Sequence, residues 1–339
     1  PATESETQPA GEQRGGGAIL VWAGFLATSW TWVIGLLWPA LLVRDFGFAG
    51  WVVFALPNVI GAGAFGFVLS DAARSRRVIQ RHGHVLVRFS EVTVTFHVFA
   101  AGWVLHALGG PVAVAAAGLI AIGTWVVGFN RAGLLPYAGT AALSVSLLLL
   151  LSWMAGFLPS AAWTGATTMT PGVDRTALAW LSPGIFVGFL LCPYLDLTFH
   201  RARQATAPMT GKTAFAIGFG AFFLLMIVFS LLYAPLVAEL FADASLSEPR
   251  WVIWVLTGQI ALQAGVTAGL HLHEIAWHRG HGGTHRVGVL AVAGAALAYW
   301  ASQPGEAGLF GLTPAETVYR CFILFYGLVF PAYVWLVMI

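Results

Sequence analysis

Four polar residues at a constant spacing, Gln259, Gln263, Thr267 and His271, run through an otherwise apolar stretch, "WVIWVLTGQIALQAGVTAGLHLHEI". A step of four on a helix of 3.6 residues per turn keeps them on one slowly drifting face. In a membrane helix such a stripe is expensive to turn toward lipid, so it must face other helices or a watery cavity. The two amides suit contacts to a polar solute, and Thr267 and His271 suit an ion or a gate. A second stripe lies in "VLVRFSEVTVTFHVFAAGWVLHAL", where Ser90, Thr93 and His97 fall at i, i+3 and i+7. Thr93 and His97 are candidate solute contacts. The imidazole can hydrogen-bond across helices or, since it titrates near neutrality, relay a proton. Glu91, beside this stripe, reads as an ion-binding or gating carboxylate, or as the i, i+3 ion-pair partner of Arg88.

Two further stretches look like helices that break. In "ATSWTWVIG", residues 27–35, Ser29 and Thr31 sit near mid-span, Gly35 permits a break, and Trp30 and Trp32 can wall a pocket. In "LSPGIFVGFLLCPYLDLTFHRARQ", residues 181–204, Ser182-Pro183-Gly184 and Cys192-Pro193 each threaten the helix, with Gly188 between them. Ser29, Thr31, Trp32, Gly35 and Gly188 join the candidate substrate-binding set. Asp196 follows the second break. A carboxylate there costs up to about 2.5–3.5 kcal/mol at a helix centre and less near the interface. It reads as an ion or proton site or an inner gate, or as a partner for His200 or Arg203 that anchors the helix end.

The His-rich tract 271–285 places Glu274 and His278 at i, i+4 with His281 and His285 nearby, but a basic membrane-edge loop explains it as well. No metal or other cofactor is assigned. His97 and His106 are nine apart and face opposite ways, which does not suit axial haem ligation. Cys192 and Cys321 both lie in apolar runs, as buried thiols do. No hydrolase elbow, phosphate loop or dinucleotide fingerprint occurs, so the chain is expected not to be an enzyme. The Gly-rich "NVIGAGAFGF", residues 58–67, suits tight helix packing.

The elements that must position these residues follow from composition. Of 339 residues 58% are hydrophobic and only 9% charged, against roughly 25% charged in soluble domains. A bilayer is the solvent that fits, and no basic face for nucleic acid recurs. Residues 1–17 are polar and Gly-rich, as in a disordered tail. About ten apolar stretches follow, near 18–43, 50–70, 85–108, 110–129, 133–157, 178–199, 212–238, 250–277, 285–302 and 317–338. Alternate loops hold the cations: Arg74, Arg76, Arg77 and Arg81, then Arg131, then Arg201, Arg203 and Lys212, then Arg279 and Arg286. The others hold Asp45, Asp174, Glu239, Asp243, Glu248 and Glu306. By the positive-inside rule the chain is a multi-pass protein of the cell's inner membrane with both termini cytoplasmic.

An internal echo divides it. "IGLLWPALLVRDF" at 34–46 resembles "VGFLLCPYLDLTF" at 187–199, and "AGWVLHAL" at 101–108 faintly resembles "AGLHLHEI" at 268–275. Both echoes fall five helices apart, so the second unit must be inverted in the membrane. The fold expected is an all-α polytopic membrane domain over 18–339, with repeats 18–157 and 178–339 and discontinuous helices 1 and 6. On these features the chain resembles the five-plus-five inverted repeat of LeuT-type transporters in the amino-acid/polyamine/organocation superfamily. The stretch "WPALLVRDFGFAGWVVFALPNVIGAGAFGFVLS", residues 38–70, is most similar to the start of sodium/solute symporters. The resemblance implies a site between segments 1, 3, 6 and 8, and a sodium ion between segment 1 carbonyls and segment 8 hydroxyls. Here only Thr267 answers to that position, which leaves sodium or proton coupling open. The function expected is secondary transport, or a transporter-like role, for a small solute. The alternative is an accessory subunit of a larger membrane complex, with other membrane subunits as partners besides the lipid bilayer.

Overall fold

The computed structural model describes residues 14–31, 33–156, 174–279, 282–303 and 308–339. Residues 1–13 of the expected tail, Trp32, His281 and Glu306 lie outside the described residues. Among those described the architecture is helical, with no strand. The helices are α1 (Gly16–Trp30), α2 (Val33–Val68), α3 (Ala72–Asn130), α4 (Leu135–Gly156), α5 (Arg175–Leu191), α6 (Leu197–Ala205) and α7 (Pro208–Ile217). They continue with α8 (Leu224–Val228), α9 (Ser230–Phe241), α10 (Arg250–Arg279), α11 (Gly282–Ala301), α12 (Pro314–Leu324) and α13 (Phe330–Tyr333). Wide π-helical turns carry α7 into α8 and α12 into α13. Seven helical segments are long and apolar enough to cross a membrane. Large apolar side chains stand outward, Val112, Leu119, Val292 and Leu336 among them. An apolar exterior around a core that contains buried Thr, Gln, His and Asp marks a membrane protein.

Two helices are too long for a single crossing. The 36 residues of α2 and the 59 of α3 would rise about 54 and 88 Å, against about 30 Å of hydrocarbon. Each turns at one glycine: Gly47 (φ 64°, ψ −158°) and Gly110 (φ 68°, ψ −169°). This corner of backbone space is essentially closed to L side chains. Beyond Gly47 the chain doubles back, so that a Cβ on Gly50 would strike the Leu42 carbonyl. The Trp30 indole donates to Asn58 Oδ1 at 3.0 Å, which sets the second arm of α2 level with the end of α1. The arms of α3 fold back in the same way along α10. Ser90 meets His271, Gly109 faces Thr257, and Gly128 faces His273. The α10 positions therefore run 271, 257, 273 as α3 runs forward, which makes α3 a helical hairpin.

Small residues bring helices close, as the Gly-rich 58–67 stretch predicts. A Cβ on Gly61 would lie 2.7 Å from the Leu190 backbone, and one on Gly188 would lie 2.7 Å from Gly327. Ion pairs cluster in two groups. At the α2 bend, Arg44 and Arg320 clasp Glu316 and Asp45, with Arg320 over the Trp38 ring at 5.6 Å. In the other group Glu91 takes Arg88 at 2.6 Å and Arg279 at 3.4 Å, and Glu274 pairs with Arg201. Between α2 and α3, Asp71 accepts from the Arg74 amide as helix cap, which holds its exposed carboxyl below the ordinary range.

Three expectations change here. The first interruption lies at Thr31, not at Gly35, which is helical within α2. Pro183 sits inside an unbroken α5, so 181–204 is interrupted once, at 192–196. The two stretches of the echo, 34–46 and 187–199, differ in backbone, since the interruption precedes the first and lies inside the second. The hairpin glycines give a direct test. No neighbour lies within 4 Å of a Cβ on Gly110 or on Gly118. Gly110→Ala is therefore expected to cost about 1–3 kcal/mol through backbone strain alone. Gly118→Ala, in regular helix, should be neutral or stabilising by up to about 1 kcal/mol. Thermal unfolding of the purified variants in detergent measures both, and equal stability of the two would sink the hairpin assignment.

Candidate functional site

Three hydroxyl residues in four, Thr28, Ser29 and Thr31, end α1. Such side chains compete with the helix ladder for backbone groups. Thr28 Oγ1 donates 2.7 Å to the Gly139 carbonyl of α4, and Ser29 Oγ donates 3.0 Å back to Leu26. The last helical bond is Thr31 N–H to the Ala27 carbonyl at 2.8 Å, and Thr31 then leaves the helix (φ −82°, ψ 65°). Beyond the interruption two phenols steady α2: Tyr319 donates to the Val33 carbonyl at 2.8 Å and Tyr233 to the Leu36 carbonyl at 2.9 Å. Thr31 Oγ1 is buried and finds no partner.

The second interruption is chemically different. Pro193 cannot donate to a helix ladder, and residues 192–195 tighten into a 3₁₀ turn. Asp196 then caps α6, its Oδ1 accepting from Thr198 N and Thr198 Oγ1, both at 2.7 Å. Oδ2 has no hydrogen bond and faces His271 Nε2 of α10 at 3.9 Å, both side chains fully buried. Asp196 is thus not paired with His200 or Arg203. His200 contacts Ser75 Oγ at 2.9 Å and the Tyr194 carbonyl at 3.0 Å. Arg203 donates to the carbonyls of Thr206 (2.8 Å) and Ala207 (2.9 Å) just beyond α6. Arg203 therefore secures the end of α6 that the aspartate starts, and His200 ties the helix to α3 and to the turn before it.

Beside the first interruption lies a pocket with about 220 Å³ of empty space, none of it wide enough for a water molecule. Trp30, Ile34 and Gly35 wall it on one side and Phe54 and Asn58 on another, with Phe189, Phe223 and Tyr326 completing it. Trp30 packs on Phe199 (5.1 Å between centroids) and lies parallel to Phe89 (6.4 Å), which ties the end of α1 to α6 and α3. Thr93 Oγ1 donates to the Phe89 carbonyl at 2.9 Å, leaving the Tyr326 hydroxyl to donate to it at 3.0 Å. On the other side of the α1 end, Thr267 Oγ1 donates 3.0 Å to the Thr28 carbonyl. The hydroxyl and the carbonyl that the resemblance offers to sodium are thus bonded directly to each other.

The sequence-derived residues divide accordingly. Gly35 lines the pocket, Thr31 lies at the adjoining interruption, and Thr93 reaches the pocket through Tyr326. Asp196, His271 and Ser90 form a layer of their own, with His271 Nδ1 at 3.1 Å from Ser90 Oγ. His97 Nδ1 bonds the Thr93 carbonyl of its own helix at 2.7 Å, and Ser29 likewise bonds its own helix. Gln263 turns to Ser146 of α4 at 2.7 Å, away from the pocket wall, and Gln259 is buried with both amide atoms unbonded. Gly188 packs on Gly327. Glu91 is ion-paired, as the Arg88 spacing allows. Glu274 is held by Arg201, and His278 Nδ1 sits 2.9 Å from the Glu274 carbonyl, so the two side chains do not converge on a metal. Asn58, Phe54, Phe189, Phe223 and Tyr326 were not expected. A lone amide in an apolar run, "FALPNVIG", was the one available signal, for Asn58.

Comparison with family models, with curated proteins and with solved structures finds no match. The hydrogen bond from Thr267 to Thr28 is expected to matter for stability and can be weighed alone. Thr267→Val keeps the shape and removes the donor, at about 0.6–1.7 kcal/mol as for other interhelical bonds in membranes. Unfolding of the purified variant measures it; a loss below the lower bound would mean that the carbonyl finds another donor.

Proposed function

We propose that the chain is a secondary transporter, or a transporter-like protein, for a small solute, built as ten spans in a five-plus-five inverted repeat. The two turns at Gly47 and Gly110 support the count, since each divides one long helix into two arms. Repeat one covers 18–157 and repeat two 178–339, with helices 1 and 6 discontinuous at Thr31 and at 192–196. The orientation that suits the arginine-bearing loops puts both termini in the cytoplasm of an inner-membrane protein. The observation that carries the reading is the pocket beside the break at Thr31, lined also by Phe189 of the helix that breaks at 192–196. Interrupted backbone at membrane depth is tolerated where it is buried or lines a cavity, and paired interruptions at a repeat interface are where transporters bind. The pocket offers aromatic faces, one amide and one phenol, with no charged side chain in its wall. A small solute without net charge fits that chemistry. Ion pairs in two clusters, Arg44–Glu316 and Arg201–Glu274, suit a closed state.

A second reading draws on the same closure. A pocket with no room for a water molecule also suits an accessory subunit that keeps the fold without flux. Uptake by proteoliposomes, with a panel of small neutral solutes under sodium and proton gradients, separates the two. The transporter reading expects substrate-dependent flux that Asn58→Leu lowers by at least about tenfold, the effect of losing one buried polar contact. Absence of flux and of binding under every gradient, with stoichiometric subunits retained on purification from native membranes, would establish the accessory role instead.

A further inference from the structure

We infer that Asp196 and His271 hold one exchangeable proton between them, and that this proton latches the start of α6 to α10. The site rests on geometry. Asp196 Oδ1 is fully engaged by Thr198, whereas Oδ2 is buried, unbonded and 3.9 Å from an equally buried and unbonded His271 Nε2. That distance is beyond a hydrogen bond, yet the two atoms face each other with nothing else to bond. Ser90 Oγ lies 3.1 Å from Nδ1 on the other edge of the ring. With Nδ1–H donating to Ser90, Nε2 is the free lone pair. An ionised Asp196 then sets a carboxylate lone pair against an imidazole lone pair, and the contact stays open. One proton taken from water supplies the missing donor. On Oδ2 it makes a neutral acid that donates to Nε2; on Nε2 it makes an imidazolium that donates to the carboxylate. Either way the pair gains one positive charge and one hydrogen bond, and an approach of about 1 Å closes it.

The groups around the pair leave that proton as its variable. Glu274 of α10 bears on Asp196 and is held by Arg201; the Cys192 thiol and the Tyr326 phenol also face Asp196. His97 of α3 faces His271 and keeps its Nδ1 on the Thr93 carbonyl. The Phe89 ring closes the remaining side at 6.4 Å. A metal ion in place of the proton would need further ligands, and among the described residues no third His, Cys, Asp or Glu completes such a group. Because α6 begins at Asp196 and α10 carries the Thr267 contact to the end of α1, the latch connects both interruptions. The inference rests on the transporter reading only for its meaning as coupling; the proton site stands without it.

Infrared difference spectra of the purified full chain in nanodiscs, recorded from acid to mildly alkaline pH, test it. The expected result is one buried carboxyl whose protonation changes together with an imidazole signal. Asp196→Asn should abolish it while keeping the fold, since Asn caps a helix as well as Asp does. His271→Gln should move its midpoint by at least about tenfold in proton concentration. Ser90→Ala keeps the ring, removes only its Nδ1 partner, and should also move the midpoint, which supplies the test if His271→Gln does not fold. A carboxyl signal that survives Asp196→Asn, or a midpoint unmoved in the folded variants, overturns the inference. Failure of solute uptake with the titration intact would remove the transporter reading and leave the proton site.

Discussion

Everything in this chain depends on one constraint: inside a bilayer, a backbone group that leaves its helix must find a partner within the protein. The chain leaves its helices at Thr31 and at 192–196, and the surrounding structure repairs the damage. Thr267 takes the Thr28 carbonyl at the end of α1, and Asp196 Oδ1 receives the Thr198 amide of α6, while Tyr319 and Tyr233 brace the start of α2 through its carbonyls. These repairs come from helices far apart in sequence. A hydrogen bond to a broken end therefore also fixes which helices surround it. That is why the amphipathic stripe of α10 and the phenols of α9 and α12 converge on the same place.

The repair is uneven, and the unevenness locates the site. The carbonyls named above are bonded, while Thr31 Oγ1, Asp196 Oδ2 and His271 Nε2 are not. A buried polar group without a partner costs on the order of 1–3 kcal/mol. Apolar side chains of equal volume would have been more stable there. Two orphan atoms facing each other across 3.9 Å are not scattered packing errors; they mark a contact that the chain can make and unmake. The aromatic layer above them behaves in the opposite way. Trp30, Phe89, Phe199 and Tyr326 interlock, and Trp30 and Tyr326 both line the pocket, so movement at the Asp196–His271 layer reaches it through either ring.

Much of this was legible in the sequence because membranes impose strong local rules. Apolar length gave the helices, and four-residue spacing gave the buried face of α10, where Gln259, Gln263, Thr267 and His271 are all buried. Pro193 announced its break because proline acts on its own turn. Pro183 misled, since its missing donor lies where α5 remains continuous. The break lies at Thr31, four residues before the Gly35 that permits one. Clustered hydroxyls produced it instead, and their effect depends on partners such as Gly139 of α4 that local sequence does not reveal. Asn58, Phe189 and Tyr326 stayed hidden for the same reason. Which face of an apolar helix meets a pocket is decided by helix packing, and every face of such a helix reads alike.

Asp196 shows how the two levels join. Its sequence neighbours, His200 and Arg203, offered plausible partners at helical spacing. Both are occupied elsewhere, His200 by Ser75 of α3 and the Tyr194 carbonyl before α6, Arg203 by carbonyls past the helix end. A helix cap uses one carboxylate oxygen and leaves the other to point outward from the helix start. Here that direction leads to α10. The same residue that begins α6 thus addresses His271, and the cap, by fixing Oδ1, decides that Oδ2 is the atom that does so. Local helix chemistry, more than charge attraction, aims the group.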